Sequence, residues 1–228
     1  MNGVTWDQRI PIEAPLTGDN ERRIELPLAI DQLHLEQPGW VLDAGCSLVE
    51  GVARYTQIWP LRAKVVHLTQ AIGSERLTPH QQQLSFVSAD LRDLSIFADG
   101  AFDRVGCIST LEHVGFDNAQ YGGAIEADPE SVWAAAREIA RVTKRLLLIT
   151  VPFHHVEVVM GKYWRLFGPT SLAKLVKHLG GRAELRFYGR TVDFGWFGGT
   201  SEPIPEAQLD ATGFPNKINQ LVALRVVK

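Results

Sequence analysis

Five short stretches of this 228-residue chain hold side chains that can bind a polar ligand or move a proton, and each follows an apolar run. The first is Asp43-Ala44-Gly45-Cys46-Ser47 and the second is Thr69-Gln70. The third is Asp90-Leu91-Arg92, the fourth Ser109-Thr110-Leu111-Glu112-His113, and the fifth His154-His155. A carboxylate such as Asp90 accepts from an exocyclic amine, while the following backbone N–H donates to a ring nitrogen; a purine edge asks for that pair. Glycine at 45 lets a ligand approach backbone where a β-carbon would collide. The imidazole of His113 has an ordinary pKa of about 6.5, which suits a general base near neutrality, and Glu112 stands beside it. Bracing of the following loop is the competing role for His113. His154 and His155 are neighbours in an extended segment and point to opposite sides, so at most one of them, here His154, faces a pocket.

The elements that must position these groups alternate in type. Residues 40–44, 63–69, 84–90, 102–110 and 145–153 read as strands, and 183–190 and 218–228 as two more. Helical spacing appears over 21–36, with Pro27 placed in the first turn, and over 49–59, 130–143 and 170–181. Parallel neighbours need a crossover, so strand–helix alternation predicts a Rossmann-like, doubly wound α/β sheet. Seven strands are expected, mostly parallel with an antiparallel last strand, and helices on both faces. Ligands in such sheets bind beyond the carboxyl ends of the strands, where all five polar stretches fall. Residues 1–20 read as an arm or lid and 21–228 as a single domain. Residues 194–216, rich in Gly and Pro, read as a long loop before the last strand.

A net charge of −3 with no Lys/Arg run argues against a nucleic-acid surface. No apolar run approaches the roughly 20 residues of a membrane span, and the N-terminus lacks a secretion signal. Two cysteines, Cys46 and Cys107, make no disulfide scaffold and suit a reducing cytoplasm. His154, His155, Glu112 and Asp117 are metal-type residues, but no H-x-x-x-H or C-x-x-C spacing joins them, so no metal is expected.

The stretch "VLDAGCS" and, more specifically, "FVSADLRDLSIFADGAFDRVGCISTLEHVG" (86–115) resemble the class I S-adenosylmethionine-dependent methyltransferases. The resemblance covers about 21–190. It implies S-adenosylmethionine as cofactor and direct in-line methyl transfer to a small-molecule acceptor, such as a sugar or biosynthetic metabolite, with a homodimer as a candidate assembly. It places the cofactor on Asp43, Ala44, Gly45, Cys46, Ser47, Thr69, Gln70, Asp90, Leu91, Arg92, Ser109, Thr110 and Leu111, with Ile96 and Leu111 walling the adenine. The acceptor falls to Asp117, Tyr121, His154, Trp164, Trp196 and Phe197, with His113 and Glu112 catalytic.

Two departures stand out. Ser47 replaces a family glycine, at a cost of roughly 1 kcal/mol or more if that position needs a positive φ; its hydroxyl is a candidate donor to the cofactor carboxylate. Thr69 replaces the acid that accepts both ribose hydroxyls, which predicts weaker binding or a carboxylate from elsewhere, Glu75 being nearest. These keep a second reading open: a methyltransferase-fold protein that binds a partner or assists a cyclisation or rearrangement. A nicotinamide oxidoreductase ranks last, since G-x-G-x-x-G and its acidic partner are missing.

Overall fold

The protein is described here from a computed structural model, over residues 21–49, 61–70, 85–119, 127–191, 195–212 and 218–228, with only the backbone of Gly195 and Phe197. Helix α1 (Arg22–Gln32) precedes strand β1 (Gly39–Ala44), followed by β2 (Ala63–Thr69), β3 (Ser85–Ser88) and β4 (Phe102–Ile108). A 3-10 turn (Leu111–His113) leaves β4, and α2 (Val132–Val142) leads into β5 (Thr143–Pro152). Then come the hairpin β6 (Val158–Met160) and β7 (Trp164–Leu166), α3 (Pro169–Leu179), β8 (Arg182–Thr191), β9 (Gly195–Thr200) and β10 (Gln220–Val227).

The main sheet runs β3-β2-β1-β4-β5-β10-β8-β9. The five strands from β3 to β5 are mutually parallel, and β10 is antiparallel to β5. Strand order reverses at β1, between β2 and β4, so the tips of these strands diverge into a crevice. The sheet has eight strands rather than seven. The extra one, β9, comes from "GWFGGT", within the stretch read as loop, and pairs antiparallel with β8. Its glycines hide the alternation that marks a strand; Gly198, at φ +137, could not carry a β-carbon without meeting Phe187 O at 2.5 Å.

Alternation along β5 shows the two-sided core. Leu147, Ile149 and Val151 join the α2 and α3 layer, whereas Leu148 joins the α1 layer with Leu26, Ala29, Ile30 and Val41. Burial on both faces explains the unbroken apolar run. Helix α1 keeps Pro27 in its interior, not in its first turn, and nearly every residue from Ile24 to Gln32 is buried. Packing therefore overrides the loss of one helical hydrogen bond. Its far end covers Tyr188, Trp196, Leu221 and Ala223. Helix α3 ends at Gly180 (φ +61), matching the glycine stop read from the sequence. The helix expected over 49–59 lies mostly outside the described residues.

Candidate functional site

A cavity of about 200 Å³ opens at the tips of β1, β2, β3 and β4. Gly45 and Ser47 line it from β1, Thr69 and Gln70 from β2, and Asp90, Leu91 and Arg92 from the segment after β3. Ser109, Thr110 and His113 line it from the β4 side. Ten residues expected at a ligand thus meet around one hollow. Gly115 and Asn118 also line it, from the stretch 115–123 that the sequence assigns to the acceptor pocket, and so do Arg22, Leu68 and Val114, which were not anticipated. Leu68 and Val114 had a readable signal, since each adjoins a polar strand end. Arg22 had none, because only the fold brings α1 to the tips.

The turn after β1 is built by Asp43. Its Oδ1 accepts from Ser47 N (3.2 Å), and its Oδ2 accepts from Leu48 N (2.9 Å) and lies 2.7 Å from His67 Nδ1. Asp43 is wholly buried and its oxygens are committed, so it organises the turn and does not face the cavity. Ala44 and Leu111 are core residues. Cys46, at φ +61, carries the left-handed turn conformation, and Ser47 does not. The Ser47 hydroxyl donates to the Ile108 carbonyl at 2.7 Å. It laces the turn to β4 and is not held out for a ligand carboxylate. Among the described residues, Asp43, Cys46 and His67 are the grouping of metal-type ligands, with ligand atoms within 4.8 Å of one another.

Asp90 is gripped by its neighbour. Arg92 donates from its backbone N (2.8 Å) and Nε (2.9 Å) to Oδ1, and from Nη2 to Oδ2 (2.5 Å). These bonds hold the Asp90 carboxyl below its usual range. The apolar walls are Leu68, Leu91 and Val114. Ile96 is 61% exposed, and Leu111 is buried in the core, so neither walls the cavity.

His113 lines the cavity with Nδ1 3.2 Å from the Tyr163 carbonyl. That contact makes Nδ1 the protonated nitrogen and leaves Nε2 as the basic one. Burial keeps the imidazole below its ordinary value, outweighing the carbonyl, so it is neutral at pH 7. Glu112 is 1% exposed and lies beneath the cavity, not in its wall. Burial drives its carboxyl well above the usual range, which favours the neutral form.

The residues expected at the acceptor scatter. Asp117 is buried, with Lys162 Nζ 2.7 Å away, and does not line the cavity. His154 reaches Glu206 (3.1 Å) and Val156 instead. Trp164 sits half-buried in the β6–β7 hairpin. Trp196 is 6% exposed and packs under α1, because β9 is a strand of the sheet and not a loop over the site. Tyr121, Glu75 and the Phe197 side chain lie outside the described residues.

A doubly wound sheet with a polar cavity at the tips of four parallel strands is the arrangement in which open α/β proteins bind their ligands. Residues 42–146 match the family described as methyltransferase domain, and the fold is shared with solved S-adenosylmethionine-dependent methyltransferases. A SAM-dependent methyltransferase from Archaeoglobus fulgidus is similar in structure, with TM-score 0.56, 13% identity, and coverage of 89% of this chain and 94% of that one. The [4+2]-cyclase SpnF matches with TM-score 0.55 at 14% identity, covering 89% of this chain and 79% of that one. Phosphoethanolamine N-methyltransferase 2 from Haemonchus contortus, in complex with S-adenosyl-L-methionine, matches with TM-score 0.51 at 14% identity, covering 84% of this chain and 49% of that one. Among curated proteins the sequence finds no match. No helix among the described residues is long and apolar enough to cross a membrane.

Proposed function

We propose that the chain binds S-adenosylmethionine in the strand-tip cavity and transfers its methyl group to a small-molecule acceptor entering past His113. The observation that carries this reading is the convergence of Gly45, Thr69, Asp90, Leu91, Ser109 and His113 on one cavity within the methyltransferase domain. The donor set fits an adenosyl amino acid. Leu68, Leu91 and Val114 offer apolar surface to a base, Thr69 and Gln70 offer neutral partners to ribose hydroxyls, and Arg22 offers a cation to a carboxylate. Asp90 and the Leu91 amide suit an adenine edge. When bound, the cofactor supplies an electrophilic methyl on a sulfonium. His113, neutral and with Nε2 basic, receives the acceptor's proton, and the cavity walls exclude water and orient the acceptor.

The wider expectations stand with this proposal. Residues 21–228 act as one domain, supported by a single main sheet whose strands run from 39 to 227. The acceptor is a biosynthetic small molecule handled in the cytoplasm, with a homodimer as the candidate assembly.

The test is label transfer from methyl-labelled S-adenosylmethionine across a panel of hydroxyl and amine metabolites. A labelled product with wild type, lost in Asp90→Ala and at least 100-fold slower in His113→Gln, is the expected result. A second reading, cyclisation or partner binding without transfer, is favoured by Thr69 in place of an acid and by the fold shared with SpnF. Cofactor binding without labelled product on any acceptor would support it.

A further inference from the structure

The turn between β6 and β7 lies against the segment that follows β4 and is fastened to it. Lys162, in that turn, is tied to Asp117 twice. Its carbonyl accepts from Asp117 N (2.8 Å), and its Nζ stands 2.7 Å from Asp117 Oδ2. Asp117 is buried, and its Oδ1 accepts from Ala119 N (3.1 Å). A buried carboxylate is tolerated where it is paired and hydrogen-bonded, and Lys162 supplies the opposite charge. The turn itself is set by Gly161 at φ +58, with Tyr163 N donating to the Met160 carbonyl (3.2 Å). A β-carbon at 161 would meet nothing within 4 Å, so the backbone conformation alone asks for this glycine.

The next residue carries the consequence. The Tyr163 carbonyl lies 3.2 Å from His113 Nδ1, and Lys162 Nζ stands over the Tyr163 ring, 5.5 Å from its centroid. Lys162 thus holds the residues on both sides of this contact. The backbone of His113 is fixed from within its own segment. Its N–H donates to the Thr110 carbonyl (3.0 Å), and its carbonyl accepts from Phe116 N (3.1 Å) and Asn118 Nδ2 (3.0 Å). The place of the imidazole is therefore set locally, while its proton is set from the hairpin. A carbonyl only accepts, so it demands the proton on Nδ1. A neutral histidine ring left to water favours the proton on Nε2, so the Tyr163 carbonyl imposes the less favoured tautomer.

We infer that the Asp117–Lys162 pair is a latch that keeps the Tyr163 carbonyl on His113 and so fixes the Nδ1–H tautomer of its ring. Both are positioning residues: neither lines the cavity, and they act through the backbone of the residue beside Lys162. The latch gives Asp117 a task other than contact with the acceptor. Its value to catalysis is plain, because the other tautomer would present an N–H at Nε2 where a base is required. That value rests on the reading of His113 as the base; the control of the tautomer does not.

The test is nitrogen NMR of the histidine rings in the full chain, above the ordinary imidazole pKa of about 6.5, beside label transfer from methyl-labelled S-adenosylmethionine. Wild type should show His113 as the Nδ1–H form. Lys162→Met, at a largely exposed side chain, should make Nε2–H the major form and slow label transfer about tenfold, with S-adenosylhomocysteine binding unchanged. Lys162→Arg keeps the pair and should restore both tautomer and rate. Asp117→Asn should repeat the Lys162→Met pattern. An unchanged tautomer in Lys162→Met, or an Nε2–H ring in wild type, would overturn the inference, as would a slower rate with no change of tautomer. A tautomer that switches as expected in a protein whose wild type labels no acceptor would instead overturn the transfer reading, and with it the catalytic use of the latch.

Discussion

The Thr110 side chain lies against the α-carbon of Gly45, its Oγ1 2.3 Å from where a β-carbon at 45 would stand. The glycine is therefore demanded by a neighbouring strand end as well as by its own φ of +109. A glycine read from a ligand-binding pattern turns out to serve the closure of β1 on β4 first.

Gly45→Ala should destabilise the protein by about 2–5 kcal/mol, combining left-handed backbone strain with overpacking. Urea denaturation measures it. The double variant Gly45→Ala/Thr110→Ala should recover the overpacking part and leave the backbone part. No recovery would show that Thr110 is not the obstacle.

Ser47→Gly restores the residue of the family pattern and should weaken the protein by about 1–2 kcal/mol. It removes the hydroxyl bond to Ile108 and adds chain entropy to the unfolded state. Chemical denaturation of the two chains decides it. Equal or greater stability in the variant would mean that the serine is a tolerated lapse and not a strut.

His113 should titrate below pH 6.5, because burial disfavours its charged form. Between its folded midpoint and the unfolded value of about 6.5, the unfolded chain binds the extra proton. Stability therefore rises with pH through that window, and the contribution is complete above it. NMR titration of the His113 ring proton gives the midpoint, and a value above 6.5 would remove the basis for a neutral base. Any acidic limb of activity assigned to His113 should share that midpoint.

The strand tips were legible because each is a short polar group ending an apolar run, and parallel sheets make such runs continuous. Asp90, Thr69, Ser109 and His113 were placed at the cavity on that ground, and the structure puts them there. Spacing does not reveal direction. Asp43 and Glu112 sit in the same polar stretches yet turn inward, one to cap a turn and the other into the core. Trp196 misled for a related reason: glycines around an aromatic residue look like a loop until β8 supplies a pairing partner. Arg22 was invisible, since no sequence pattern says that α1 crosses the sheet to the strand tips.

The central claim is that the hollow at the strand tips takes an adenosyl ligand, and thermal unfolding with S-adenosylhomocysteine tests it most directly. Ligand at 100 times its dissociation constant adds about 2.7 kcal/mol to stability, a shift of several degrees for a domain of this size. The account predicts that shift in wild type, its loss in Asp90→Ala, and none with NAD. An unmoved wild-type midpoint at millimolar S-adenosylhomocysteine, or an equal shift with NAD, would contradict it.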